Sequence, residues 1–236
     1  MKLSYFLLIL GLSFASCSVF APTKKLKAPE LNNFYDSASY AWGLNIAEFL
    51  KGYYYSELDA ELMTQAFNSS MNNQPVAFSS KEVKSIIKQY GEYIVDSIYN
   101  YNDSLGMIYL NEFGQKPGVV KLESGIQYEL ISKGWGETYP VQGDRLIVHY
   151  ECFTVDGKKV DSSVDKMEPY EFVIGLGKVI KGWEEISLLM KEGDKLRVVI
   201  PATQAYEKNI SVKGIPPGST LIYELKILEI KPIHLK

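Results

Sequence analysis

The spacing of hydrophobic residues changes once along this chain, which indicates two parts built from different secondary structure. From residue 36 to about 118, hydrophobic residues recur every three or four positions, the period of an amphipathic helix. From about residue 123 onward, short stretches alternate hydrophobic with polar residues, as half-buried strands do. The pattern predicts an all-α part followed by an antiparallel sheet with one short helix, an α+β architecture.

Three helices are expected in the first part. Asp36 or Ser37 is the candidate cap of the first helix, and Ser56 is the candidate cap of the second. Ser79 and Glu82 have the spacing of a capping box, in which each side chain bonds the backbone N–H of the other residue. We therefore expect the third helix to begin at this pair.

The third helix carries a long hydrophobic stripe that needs a partner. The stripe consists of Val83, Ile86, Ile87, Tyr90, Ile94, Ile98, Tyr101, Leu105 and Ile108. A helix that continues to about Phe113 would be about 50 Å long at 1.5 Å per residue. Two short helices cannot cover such a stripe completely, so we expect a homodimer through residues 34–118. Packing of the three helices within one chain is the alternative.

The second part contains four stretches rich in Val, Ile, Leu and Tyr. They are predicted to be strands at residues 126–131, 145–150, 195–200 and 220–230. Turns that contain Gly and Asp separate them. A helical stretch from about residue 180 to 190 interrupts the strands.

The first residues have the form of an export signal. Lys2 precedes a hydrophobic run at residues 3–14 and small residues before Cys17. The run is shorter than the roughly 20 residues that a membrane-spanning helix needs. The residues that end at Cys17 resemble a bacterial lipobox, which implies that a signal peptide of residues 1–16 is removed and that Cys17 carries lipid. Ordinary secretion is the alternative.

A lipid on Cys17 would hold the protein at a membrane without a spanning segment. We expect an exported protein, anchored in the outer membrane of a bacterium and facing the periplasm. Residues 17–33 contain little hydrophobic periodicity and are predicted to be a tether.

Charge and composition exclude several other classes of protein. The chain has 25 Lys and Arg against 28 Asp and Glu, and its sequence contains no basic stripe, so nucleic acid is not an expected partner. Two cysteines and two histidines are too few for a structural zinc cluster, and no metal is expected.

Six short segments of the second part occur in a characteristic order, at residues 149–150, 156–163, 179–185, 200–201, 205–206 and 214–217. In this order and spacing, residues 123–231 resemble the FK506-binding-protein (FKBP) class of peptidyl-prolyl isomerases. The helical part resembles the dimerisation domain of the macrophage infectivity potentiator branch of that family. The resemblance implies a helical dimerisation domain at residues 34–118 and an isomerase domain at 119–236.

The resemblance also implies an apolar pocket between a half-wrapped sheet and one helix. Trp183 would form its floor, the N–H of Ile180 and the hydroxyl of Tyr206 would donate to substrate carbonyls, and Asp161 would add an acceptor near the rotating amide. These four residues are the expected catalytic residues. The other expected substrate-binding residues are Tyr150, Val160, Tyr170, Phe172, Val179, Ile215 and Tyr223.

The implied function is prolyl isomerisation of exported polypeptides. The planar amide is polar because resonance moves charge onto its oxygen, and a dry pocket would therefore favour the twisted amide over the planar one. Such a mechanism requires no cofactor, and proline-containing polypeptides are the expected clients. The alternative is a dimeric chaperone, weakly catalytic or non-catalytic, that binds unfolded chains.

Three residues depart from the family's usual pattern. Val160 stands where a bulky aromatic residue is usual, and this opens one wall of the expected pocket. Glu207 begins a loop that usually starts with glycine. Lys166 stands where an arginine often accompanies the aspartate, and a lysine keeps the charge without the fork of donors.

Overall fold

The computed structural model describes residues 27–55, 57–212 and 214–232. The predicted signal peptide and Cys17 lie outside the described residues, and so does Ser56. The chain falls into two compact units that divide between Glu48 and Phe49. Helix α1, Phe34–Gly52, crosses this boundary.

Side-chain caps fix where the helices begin. Asn33 Oδ1 accepts the N–H of Asp36 at 3.0 Å, so Asn33 is the residue that caps the first turn of α1, and not Asp36 or Ser37 as predicted. Helix α2, Ala60–Met71, is capped by Asp59, whose carboxylate accepts two backbone N–H groups at 2.8 and 3.0 Å. The predicted cap Ser56 lies three residues too early.

The third helix confirms its prediction at both ends. Helix α3, Ser80–Phe113, is 34 residues long and begins with the capping box of Ser79 and Glu82. In its first two thirds only Ile94 is buried, and α1 and α2 contain no buried residue. The hydrophobic stripe of α3 therefore stays largely exposed until the helix reaches the sheet.

The second part of the chain is an antiparallel sheet with one short helix, which confirms the predicted α+β fold. Its strands are β1 Val120–Lys121, β2 Gln127–Ser132, β3 Arg145–Thr154, β4 Lys159–Ser162, β5 Tyr170–Val173, β6 Lys195–Ile200 and β7 Leu221–Lys231. The order across the sheet is β1-β2-β6-β7-β3-β4, and β5 pairs with β3. Helix α4, Lys181–Ser187, is shorter than the predicted stretch at 180–190.

The core lies between α4 and the concave face of the sheet. Alternation along β3 buries Leu146, Val148, Tyr150 and Cys152 on this face. Gly182 lets the helix approach closely, because a Cβ at this position would overlap the side chain of Ile200. Trp183 on the next position of α4 is consequently held against the sheet.

The C-terminal third of α3 packs on the back of the sheet. Leu110 and Phe113 join Val199 and Ile222 in a second buried cluster. About two turns earlier on the helix, Asn102 Nδ2 donates to the carbonyl of Pro217 at 2.9 Å. Helix and sheet therefore belong to one compact unit from α2 onward.

Among the described residues, no helix is long and apolar enough to cross a membrane.

Replacing Gly106 with alanine should loosen the contact between α3 and the sheet. A Cβ at Gly106 would overlap the Oγ1 and Cβ of Thr220, so the helix must shift away from the segment before β7. We expect Gly106→Ala to lower the free energy of unfolding by about 1–3 kcal/mol, as overpacking typically does, measured by urea denaturation. Gly43→Ala is the control, because a Cβ there meets nothing within 4 Å and alanine favours a helix. Unchanged stability in Gly106→Ala would contradict the contact.

Candidate active site

A cavity of about 530 Å³ opens between α4 and the concave face of the sheet. All the pocket residues expected from the sequence line it except Phe172. Phe172 is buried behind the cavity, with its ring centroid 5.6 Å from that of Trp183. It supports the floor from below and does not face a ligand.

Trp183 forms the floor of the cavity and is fixed by aromatic neighbours. Its ring centroid lies 5.0 Å from Tyr150, 5.3 Å from Tyr223 and 6.0 Å from Tyr170. The ring planes of all three pairs meet at 78–81°, the edge-to-face arrangement that aromatic pairs prefer. The floor is therefore rigid and almost completely apolar.

The indole N–H is the exception to this apolar floor. Trp183 is only 4% exposed, and its Nε1 has no hydrogen-bond partner among the described residues. A buried donor without a partner costs about 1–3 kcal/mol in folding. The indole nitrogen has almost no accessible surface, so this donor is buried beneath the floor of the cavity.

Two further donors lie at the side of the cavity. Ile180 caps α4 through its backbone: its carbonyl accepts the N–H of Trp183 at 2.9 Å, while its own N–H has no partner among the described residues. Tyr206 is half-buried, and burial raises the pKa of its phenol. The Tyr206 hydroxyl consequently stays protonated at neutral pH and can donate.

Asp161 is held by hydrogen bonds on both carboxylate oxygens. Its Oδ2 accepts the hydroxyl of Tyr150 at 2.6 Å, and its Oδ1 accepts from Lys166 Nζ at 2.5 Å and from the N–H of Ser162 at 2.9 Å. Partial burial alone would raise the pKa of Asp161, but these hydrogen bonds outweigh it and lower the pKa. Burial and the same hydrogen bond to Asp161 raise the pKa of Tyr150 far above its usual value. The pair therefore stays as carboxylate and phenol, fixed in place.

The loop before α4 is tied to the helix by one side chain. The carboxylate of Glu184 accepts the backbone N–H groups of Gly175 and Gly177 at 2.5 and 3.2 Å. This loop continues into Val179 and Ile180, so Glu184 positions the wall that carries the Ile180 donor.

Glu207 keeps the backbone shape of the glycine that is usual at its position. Its φ of 50° lies in the left-handed region, which costs a residue with a side chain about 1–2 kcal/mol. Its side chain contacts Lys181 Nζ at 3.4 Å, and its carbonyl accepts the N–H of Gly218 at 2.8 Å. The loop after Tyr206 is therefore closed despite the missing glycine.

Sequence reasoning missed six residues that line the cavity: Cys152, Lys158, Lys159, Lys178, Val212 and Gly214. The alternation of β3 could have identified Cys152, since it lies two positions after the inward-facing Tyr150. Lys158 and Lys178 come from loops, and Lys159 begins β4; only the fold brings the three lysines to the mouth of the cavity. Lys159 is paired with Glu151 at 2.8 Å and with Asp165 at 3.1 Å.

The arrangement favours binding of a flat apolar group over acid–base chemistry. Aromatic faces surround the floor, and the Ile180 N–H and the Tyr206 hydroxyl lie at its side as donors. Because their pKa values are raised, the phenols of Tyr150, Tyr206 and Tyr223 keep their protons. Within the described part of the chain, no group of three or more His, Cys, Asp or Glu side chains lies together in a metal-binding arrangement.

Cys152 should be an unreactive thiol in the folded protein. Burial raises its pKa to about 12, and only the thiolate reacts with disulfide reagents. In a Cys17→Ser chain at pH 8, we expect the folded protein to react roughly 1,000-fold more slowly than the chain in guanidinium, since its thiolate is scarcer by that factor. The measurement is absorbance of the released aromatic thiol. Equal rates in both states would contradict a buried Cys152.

Comparison with known proteins agrees with this geometry. Residues 136–228 match the family model for the FKBP-type peptidyl-prolyl cis-trans isomerase, and residues 35–130 match the domain amino-terminal to it. The FKBP-type isomerase FkpA of Escherichia coli is 32% identical over 167 residues, which are 71% of this chain and 60% of FkpA. FK506-binding protein 1 of Candida glabrata is 38% identical over 109 residues, which are 46% of this chain and 96% of that protein.

A solved structure extends the similarity to both parts of the fold. The crystal structure of Escherichia coli FkpA aligns with a TM-score of 0.61 at 26% identity and covers 86% of this chain and 99% of that one. In sequence, the chain spans about 60% of the length of its FkpA relatives. The matched domains, the relatives and the aromatic cavity together show that this chain belongs to the FKBP-type peptidyl-prolyl cis-trans isomerase family.

Proposed function

We propose that the chain catalyses cis–trans isomerisation of prolyl peptide bonds in polypeptide clients. The observation that supports this most directly is the floor of Trp183, walled by tyrosines, with an unpartnered backbone N–H at Ile180 beside it. A proline ring would lie on the indole, and the carbonyls beside it would accept from the donors.

The rate enhancement would come from unequal binding of two amide geometries. Rotation about the peptide bond must break amide resonance, which costs about 18–20 kcal/mol. The planar amide carries more charge on its oxygen, and water stabilises that charge better than aromatic walls do. A twisted amide loses less hydration free energy than a planar one when it enters the cavity. Only such a difference in binding between ground state and transition state accelerates rotation.

Each of the four expected catalytic residues would have a separate role. Trp183 would supply the floor, Ile180 N–H and the Tyr206 hydroxyl would hold substrate carbonyls, and Asp161 would remain a fixed negative charge near the rotating bond. The hydrogen bonds of Asp161 to Tyr150 and Lys166 would keep it from taking a proton. Val160 would leave room beside the residue that precedes proline, since it is smaller than the aromatic side chain usual there.

A second proposed activity is the holding of unfolded chains, and the exposed helical part supports it. Large hydrophobic side chains stay exposed on all three helices, among them Trp42 at 69%, Phe67 at 59% and Ile87 at 60%. Monomeric proteins rarely expose so many in one region. We propose that residues 34–118 form a dimerisation domain, that 119–236 form the isomerase domain, and that the paired helices help to retain clients.

The proposed location follows from the first residues of the sequence. A signal peptide of residues 1–16, a lipid on Cys17 and a tether at 17–33 would place the protein outside the cytoplasm, at the periplasmic face of the outer membrane. A protein there would meet newly exported chains whose prolines have not yet reached their native isomer. Mass measurement of the membrane-extracted N-terminal peptide tests the lipid directly.

Removing the floor and one donor should abolish catalysis. In a refolding reaction limited by proline isomerisation, we expect the Cys17→Ser chain to accelerate folding at substoichiometric concentration. Tyr206→Phe should reduce kcat/KM about 2- to 10-fold, the value of one hydrogen bond. Tyr206→Phe combined with Trp183→Leu should leave no measurable acceleration.

The matched control carries the same substitutions outside the cavity. Trp135→Leu combined with Tyr139→Phe alters two residues that are 67% and 56% exposed in the same domain. This variant should keep wild-type activity. If the wild-type chain only suppresses aggregation and never accelerates refolding, the chaperone activity stands and the isomerase proposal fails.

Light scattering should give about twice the mass of one chain, since closed twofold association buries the same surface on both copies. Ile87→Asp places a charge on the exposed stripe of α3 and should yield the mass of a single chain. Val141→Asp, at a residue 62% exposed against 60% for Ile87, is the control and should stay dimeric. A wild-type chain with the mass of one copy would overturn the dimer.

A further inference from the structure

A second cavity adjoins the proposed proline pocket. It has a volume of about 250 Å³ and lies where three segments meet: the C-terminal half of α3, the turn between β3 and β4, and the segment before β7. Tyr101, Asn102 and Leu105 line it from α3, Val155 and Asp156 from the turn, and Pro216 from the segment before β7.

The two cavities are continuous along one edge. Lys158 and Gly214 line both of them, so they form the ridge between the two. A Cβ at Gly214 would meet nothing within 4 Å, so the space above the ridge is open at this point. A chain lying in the first cavity can therefore pass over Gly214 into the second without leaving the surface.

The walls of the second cavity are preformed. Asn102 on α3 donates to the carbonyl of Pro217 at 2.9 Å, and Gly106 packs directly against Thr220. On the opposite wall, Thr154 Oγ1 donates to Asp156 Oδ1 at 2.6 Å and closes the β3–β4 turn. A ligand would not have to order these segments, which lowers the cost of binding.

The chemistry of the second cavity suits an extended peptide with a hydrophobic side chain. Tyr101, Leu105, Val155 and Pro216 offer apolar surface, of which the Tyr101 side chain is 67% exposed. Asn102, Asp156 and Ser219 stand beside it as partners for backbone N–H and C=O groups. An extended chain advances about 3.3 Å per residue, so a residue only a few positions from the proline would reach this cavity.

We propose that this cavity is a second client subsite, which binds a hydrophobic side chain of the same polypeptide a few residues from the isomerising proline. The proposal rests on the proposed isomerase function and deepens it. The long helix then contributes directly to substrate recognition, because Tyr101, Asn102 and Leu105 supply one wall.

The test compares peptides of different length on the full chain with Cys17→Ser. One peptide has four residues with a central proline, and two others add four residues that include a leucine on the N-terminal or on the C-terminal side. We expect a roughly tenfold higher kcat/KM for the extension on one side only, through a lower KM, as burial of much of a leucine side chain gives.

Tyr101→Ser should remove most of this gain and leave the four-residue peptide unaffected. Tyr93→Ser is the matched control, since Tyr93 on the same helix is 66% exposed and lies outside both cavities. Equal kcat/KM for all three peptides, or a gain that survives Tyr101→Ser, would overturn the subsite.

Failure of the proposed function is recognised separately. If the wild-type chain does not accelerate even the four-residue peptide, the isomerase proposal fails. Fluorescence anisotropy of a labelled extended peptide then decides the subsite alone: weaker binding to Tyr101→Ser than to Tyr93→Ser supports it, and equal binding refutes it.

Discussion

The whole site depends on the contact of α4 with the sheet. Gly182 brings the helix against Ile200, and Trp183 is then wedged edge-on between Tyr150 and Tyr223. The remaining parts of the cavity are placed relative to this contact: the Ile180 donor caps the same helix, and Glu184 one turn along fixes the loop before it. A seven-residue helix with little stability of its own is held almost entirely by tertiary packing.

Four polar groups of the cavity, Asp161, Tyr150, Tyr206 and Cys152, are held so that their charge does not change near neutral pH. Three hydrogen bonds lower the pKa of Asp161, and burial raises the pKa of Tyr150, Tyr206 and Cys152. The site therefore offers a constant field and fixed donors to an incoming chain. This suits a reaction in which no proton is transferred and only a bond rotates.

Local signals predicted the parts of the fold that local interactions determine. The capping box of Ser79 and the strand predicted at residues 145–150 depend on neighbouring residues, and both were confirmed. The predicted capping residues of α1 and α2 were wrong. Several polar residues near the start of each helix could cap it, and the surrounding backbone selects Asn33 and Asp59. The position of Phe172 behind Trp183, and the lysines at the mouth, follow from packing between distant segments that no local pattern reveals.

The junction of α3 with the sheet has a geometric consequence for the helix before it. The close contact of Gly106 with Thr220 fixes helix α3 against the sheet. The 26 residues from Ser80 to Leu105 therefore act as a helical spacer of fixed length. One residue inserted between Ser80 and Leu105 would rotate the pocket by about 100° around the axis of α3. It would also move the pocket about 1.5 Å further from the N-terminal end of this helix. Only insertions or deletions near multiples of seven or eleven residues would preserve the direction in which the pocket mouth faces. The number of residues in α3 thus determines the direction in which the pocket opens as well as its distance from the start of the helix.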